Sequence, residues 1–195
     1  MGFRVVVLAS GVGSLAEALI RAAGEPDYPA RVAAVGADRP APALAMARSH
    51  GLAVFRVFPG DFGTRAEWDR ALAVAVAAFR PELVVSAGFM RVLGPDFLAR
   101  FGDRTINTHP ALLPAFAGAH AVRDALAAGA GFTGCTIHQV DAGVDTGPVL
   151  AQRRVPIMPG DTEAVLHARV KVQERELLVE VVAALARGAI KLARP

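Results

Sequence analysis

A single cysteine, Cys135, is the only thiol in a chain of 195 residues. No disulfide can close within it, which fits a reducing, cytoplasmic setting, and a thiolate-rich metal site is excluded. Lysine is nearly as scarce: only Lys171 and Lys191 accompany a larger set of arginines, and these (Arg39, Arg65, Arg91, Arg123 and Arg169 among them) are scattered. A nucleic-acid surface would show a basic stripe with aromatics between the charges, and none is present. The net charge of +3 is modest and compatible with anionic substrates. Apolar runs stop after about seven to ten residues, well short of the ~20 that span a bilayer. Met1-Gly2-Phe3-Arg4 leads straight into a strand-like run, without a signal-peptide pattern. Neither a nucleic acid nor a membrane is expected as a partner.

What is present is alternation. Short β-branched runs over 3–9, 32–36, 53–57 and 83–87 read as buried strands, and stretches over 15–23, 43–49, 65–79 and 96–101 read as the helices between them. Trp68, Leu72, Val76 and Phe79 recur at helical spacing, so Trp68 is expected in the core. Ser14 with Glu17, and Thr64 with Glu67, have the spacing of capping boxes. After residue 105 the pattern changes to a strand reaching His109, a helix over 120–128 stopped by Gly129, two strands over 133–140 and 149–155, and a last helix over 162–187. The run 135–140 alternates, which predicts one solvated face in this part of the sheet. The expected fold class is α/β: a single domain over 1–195, with a mostly parallel twisted sheet, Rossmann-like, helices on both faces, and mixed toward the C-terminal part.

Three polar groups stand out. Thr105-Ile106-Asn107-Thr108-His109-Pro110 carries an amide and an imidazole two residues apart, on one side of an extended segment. Asp145 follows in the glycine-flanked turn Asp141-Ala142-Gly143-Val144-Asp145-Thr146-Gly147-Pro148. Amide, imidazole and carboxylate are the parts for proton transfer beside a stabilised oxyanion. Of the five histidines, His50 and His167 sit among charged residues and are expected to be solvated. His120 falls at a helix start and His138 reads as a half-buried strand residue, which leaves His109 as the outlier. No His or Cys pairing supports a metal, so none is expected. Ser10-Gly11-Val12-Gly13-Ser14 joins the first strand to the first helix, where backbone N–H groups and the helix dipole make an anion site. The same turn also fits a tight connection that binds nothing. Its dinucleotide fingerprint is incomplete, Asp38 being a weak ribose partner, so a single phosphate fits better. Arg65 lies in a first helical turn, where the dipole disfavours a cation; a ligand or plain solvation would account for it. Glu174 interrupts the apolar stripe Leu166, Val170, Leu177, Val181 and Leu185, and is either the partner of a buried donor or a ligand group.

Together these residues resemble the folate-dependent formyltransferases. Asn107-Thr108-His109-Pro110-Ala111-Leu112-Leu113-Pro114 is similar to that family's signature, and 134–150 is similar to its second. Ser10-Gly11-Val12-Gly13-Ser14 and Ala87-Gly88-Phe89-Met90-Arg91 also match, so four motifs in order cover nearly the whole chain. The resemblance is closest to the members that serve purine synthesis. It implies attack of the amine of glycinamide ribonucleotide on the formyl carbon of 10-formyltetrahydrofolate, the formyl-donating cosubstrate. It implies Asn107 as donor to the oxyanion, His109 as protonated stabiliser and general acid, and Asp145 as the carboxylate that keeps His109 charged. It assigns Gly13, Ser14 and Leu15 to the substrate phosphate, and Pro110, Gly118, Lys171 and Glu174 to the rest of the ribonucleotide. It assigns Met90, Arg91, Val92 and Leu93 to the folate pterin, Arg65 to a position close to the folate, Asn107 to folate contact as well, and Val140, Asp141 and Val144 to the loop around the pterin. Ribonucleotide-binding βα units would then fill the first half and folate-binding loops the second, in a monomer or homodimer.

This chain departs from the family in places. Leu15 stands where many relatives carry asparagine, and Ala117 where proline usually precedes Gly118. The chain stops at Pro195, short of many relatives, which puts the C-terminal strand or tail in question. Methionyl-tRNA formyltransferase would add a C-terminal nucleic-acid-binding domain, for which there is no length. Formyltetrahydrofolate hydrolase would add an N-terminal domain, whereas the first strand begins at residue 3. A non-catalytic folate- or nucleotide-binding module would have lost Asn107, His109 or Asp145, and all three are present.

Overall fold

The computed structural model describes residues 2–193; Met1 and Pro195, on which the expectations about the chain ends fall, lie outside the described residues. Five strands are parallel: β1 (Phe3–Leu8), β2 (Ala30–Ala37), β3 (Ala53–Arg56), β4 (Leu83–Ser86) and β5 (Thr105–His109). β6 (Phe132–Gln139) and β7 (Val149–Pro156) add to them antiparallel, giving one sheet in the order β3-β2-β1-β4-β5-β6-β7. The fold is thus the α/β class the alternation predicts, mixed at its C-terminal edge. α1 (Ser14–Ala22), α2 (Pro42–Ser49) and α6 (Glu163–Ala186) cover the sheet face that carries Val5, Val7, Val85 and Ile106. α3 (Arg65–Ala77) and α4 (Pro95–Phe101) cover the opposite face, over Val6, Leu8 and Val84. α5 (Ala121–Ala127) packs against α6 and β6.

Local chemistry sets the starts of α1 and α3. Thr64 and Glu67 close the capping box at α3: Glu67 N donates to Thr64 Oγ1 at 3.2 Å and Thr64 N to Glu67 Oε2 at 2.9 Å. Trp68 behind it is fully buried and donates its indole N–H to the Val57 carbonyl at 2.9 Å, so it belongs to the core as expected. The box expected at Ser14 does not form. Gly13 is the N-cap at φ +84°, which moves Ser14 inside the helix, and Glu17 N donates to the Gly13 carbonyl at 2.8 Å instead. A side chain at position 13 would come within 2.6 Å of the Ala43 Cβ, so close approach and backbone conformation both demand glycine there.

The solvated face expected of 135–140 is also absent. Cys135 and Ile137 of β6 join the core beneath α6, while Thr136 and His138 are buried on the other side. The segment after β5 covers that side: Thr136 Oγ1 donates to the Ala111 carbonyl at 2.6 Å and accepts from Leu113 N at 3.1 Å. The half-exposed strand is β7, at the sheet edge.

Strand order reverses around β1. β1 and β2 are followed outward by β3, and the chain then crosses back to place β4 on the other side of β1. Helices leaving in opposite directions open a crevice beyond the C-terminal ends of β1 and β4. The two loops meet there, with Ser10 N donating to the Gly88 carbonyl at 3.1 Å.

Candidate active site

β5 brings the site together. Its pairing with β4 sets Asn107 beside Ser86, and its antiparallel pairing with β6 sets Asn107 opposite His138. Asn107 Nδ2 lies 3.1 Å from His138 Nε2, and His138 Nδ1 lies 2.9 Å from the Gln139 carbonyl. With Nδ1–H donated to that carbonyl, Nε2 sits between the Asn107 amide and the Asp145 carboxylate, accepting from the amide when neutral and donating to the carboxylate when protonated. The loop over 140–148 folds back over these residues. A Cβ at Gly147 would lie 1.8 Å from the Gln139 carbonyl oxygen, so only glycine permits the approach. The loop carries Asp145, at φ +56°, against both histidines. Asp145 Oδ2 accepts from Gly118 N at 2.9 Å and lies 3.3 Å from His109 Nδ1; Oδ1 lies 3.5 Å from both Asn107 Nδ2 and His138 Nε2.

The His138 contact, the Gly118 N–H and the charges of the two histidines hold the Asp145 carboxyl below its usual range, against the opposing effect of burial. His109 is almost fully buried, with Nε2 placed 2.8 Å from the Phe116 carbonyl. Both ring nitrogens therefore face acceptors, and a ring with hydrogen on both satisfies both. The arrangement can hold a negative oxygen and deliver a proton beside it.

These groups open onto a cavity of about 590 Å³, within the usual range for small-molecule sites. Asn107, His109, Pro110, Gly118 and Asp145 line it at the centre. Leu15, Lys171 and Glu174 line one part of the wall; Met90, Arg91, Val92 and Leu93 line another, with Val140, Asp141 and Val144. Three expected site residues are not part of the lining. Gly13 and Ser14 stand behind Gly11 and Leu15, which are. Arg65 lies outside, its guanidinium 4.5 Å above the Trp68 ring and donating to the Val92 carbonyl, so it buttresses the 90–93 segment from behind.

Glu174 is only 3% exposed, yet it reaches the cavity wall. Burial raises its pKa, with the Thr108 hydroxyl, Lys171 and Arg175 acting the other way. Thr108 Oγ1 closes no hydrogen bond of ordinary geometry among the described residues. His167, expected in solvent, is half-buried and lines the same wall one turn before Lys171. Burial lowers its pKa, Lys171 adds to this, and Glu163 opposes it. Asp38 is fully buried and accepts from Ser10, Arg39 and Arg91, which leaves it unavailable to a ribose hydroxyl. Burial opposes its ionisation, but those donors hold its carboxyl at about 2. His138, His167 and Asp38 are the site residues that sequence reasoning missed or misread. For His167 the signal was present, since it precedes Lys171 and Glu174 at i, i+4 and i+7 on one helix face. Among the described residues, no group of three or more His, Cys, Asp or Glu is placed to hold a metal ion.

The chain belongs to the formyl transferase family, which residues 3–182 match. Within that class it is 60% identical over 183 residues to the phosphoribosylglycinamide formyltransferase of Mycobacterium tuberculosis, covering 94% of this chain and 85% of that protein. It is 37% identical over 189 residues to the Escherichia coli enzyme of the same name, covering 96% and 89%. The crystal structure of glycinamide ribonucleotide transformylase 1 from Symbiobacterium toebii superposes with a TM-score of 0.95 at 38% identity, covering 98% of this chain and 91% of that one.

Proposed function

We propose that this chain transfers the formyl group of 10-formyltetrahydrofolate to the amine of glycinamide ribonucleotide, a step of purine synthesis, in the cytoplasm. The observation that carries the reading is the convergence of Asn107, His109 and Asp145 on one cavity. The amine attacks the formyl carbon, and the carbonyl electrons move to its oxygen. Asn107 donates an N–H to that oxyanion, replacing its long contact with Asp145; a donor so placed contributes about 3 kcal/mol. His109 exchanges the Phe116 carbonyl for the reacting group, supports the same charge and gives its proton to the departing folate nitrogen. Asp145 faces the ring and favours its protonated form until that proton is given up. The surplus proton of the attacking amine leaves to water. His138 holds the Asn107 amide in the orientation that aims its second N–H at the oxyanion.

The start of α1 leaves N–H groups without helical partners, and Gly13, Ser14 and Leu15 take the phosphate there, with Lys171 as its cation and the His167 ring as a further N–H donor. Because the contact is through the backbone, Leu15 can serve where relatives carry asparagine. Glu174 accepts from the ribose hydroxyls, and Pro110 and Gly118 flank the glycinamide. The pterin lies against the backbone of 90–93 and beneath the loop of Val140, Asp141 and Val144.

Absorbance of 10-formyl-5,8-dideazafolate, followed with and without glycinamide ribonucleotide, tests this reading. Deformylation that requires the ribonucleotide is expected. Deformylation at the same rate without it would make the protein a hydrolase.

A further inference from the structure

The segment over 88–94 joins β4 to α4, and buried carboxylates from other elements fasten it at both ends. At the far end Asp69 of α3 accepts from Gly94 N at 2.7 Å and Phe97 N at 2.9 Å, which caps the start of α4. The near end is built differently. Met90 N donates to Ser10 Oγ at 2.8 Å, and Ser10 Oγ donates onward to Asp38 Oδ1 at 2.7 Å. Arg91 Nε donates to Asp38 Oδ2 at 2.8 Å, and Arg39 Nη2 donates to the same oxygen at 2.8 Å. Asp38 is fully buried, while Arg39 and Arg91 are partly exposed and line the cavity. The loops after β1, β2 and β4 therefore meet on one carboxylate.

Asp69 serves only backbone N–H groups. Asp38 also orients two guanidiniums at a ligand wall, and Arg91 commits to it only one of its five N–H donors. We propose that Asp38 is a positioning residue for the folate site. Through Ser10 it sets the Met90 backbone, and through Arg91 it fixes a guanidinium on the cavity wall, so the segment is organised before folate arrives. This rests on the assignment of 90–93 to the folate. The role calls for a carboxylate. Asparagine offers one acceptor oxygen, and its NH2 would face a guanidinium or the Ser10 hydroxyl.

The test uses the full chain, with 10-formyl-5,8-dideazafolate as the probe and two readouts: calorimetric Kd, and steady-state constants for both substrates. D38N is expected to raise the folate Kd and KM about tenfold, the size of one lost charge-assisted hydrogen bond, with kcat and the ribonucleotide KM within about twofold of wild type. S10A, which leaves the ion pair in place, raises the folate constants less. In an R91A background, D38N adds less than it does alone, because the two act through one contact. Wild-type folate affinity in D38N overturns the proposal, as does an equal rise in both KM values. Should D38N fail to fold, wild-type folate affinity in S10A overturns it. Failure of the wild type to formylate the ribonucleotide strikes the functional reading instead, and the direct folate Kd still decides the role of Asp38.

Discussion

Asn107 is the only asparagine in the chain, and its amide is committed on one side to a histidine whose other nitrogen is tied to a backbone carbonyl. Such a fixed donor suits an oxyanion better than a mobile one, because nothing need reorganise as charge develops. Asn107→Ala should lower kcat by ~10²–10³ through loss of one oxyanion donor, and His109→Ala by ~10²–10⁴ through loss of the general acid. In both variants the calorimetric folate Kd should stay near the wild-type value. Wild-type turnover in either would strip that residue of its role. Asn107, His109 and Asp145 were legible in the sequence because each is marked locally, two by their spacing before a proline and one by its glycine-flanked turn. His138 was not, because its partner Asn107 is 31 positions away and only the β5–β6 register makes them neighbours. Asp38 was read as a weak ribose partner for the same reason: its donors Ser10 and Arg91 belong to other loops.

At the scale of elements, periodicity located the strands and helices but not what covers them. Alternation along 135–140 implies a wet face only if nothing packs on it, and the segment after β5 does. The spacing of Ser14 and Glu17 implies a capping box only if the helix starts after Ser14, and the left-handed Gly13 starts it one residue earlier. α6 shows the reverse case, a stripe whose polar members were legible in part. Glu174 was picked out as a break in an apolar face and Lys171 through the family resemblance, while His167 passed as a solvated residue. Its place on the cavity wall makes it an N–H donor to the phosphate in the proposed reaction. His167→Ala and Lys171→Ala should each raise the ribonucleotide KM about tenfold or more, as expected for a hydrogen bond to a charged group, and leave the folate KM unchanged. Steady-state titration of the two substrates checks this, and an unchanged ribonucleotide KM would detach α6 from the phosphate.

For the whole molecule, strand order matters more than any single element. The reversal around β1 places the crevice, and β5 and β6 extend it with a strand pair that carries the polar groups. Charges along this crevice and before α6 give stability a predictable pH dependence. Asp38 and Asp161 have folded pKa values of about 2 and Asp145 one below the usual 3.8, so the stability they add is present above about pH 4 and lost as pH falls through those lowered values. Glu174 runs the other way. Its folded pKa lies above 4.5, so its ionisation costs stability as pH rises past that value. Thermal unfolding should therefore show melting temperature dropping below about pH 4, and the advantage of Glu174→Gln over wild type growing as pH rises past about 4.5. A pH-independent difference between the two would show that Glu174 is not held in its neutral form by burial.

The central claim is a group transfer, and the fate of the transferred carbon decides it. Wild-type protein given ¹³C-formyl-labelled 10-formyltetrahydrofolate and glycinamide ribonucleotide can be followed by ¹³C nuclear magnetic resonance. The label is expected in the formamide carbon of the ribonucleotide product, with one product formed per folate consumed. Label appearing as free formate, at a rate indifferent to the ribonucleotide, would contradict the account.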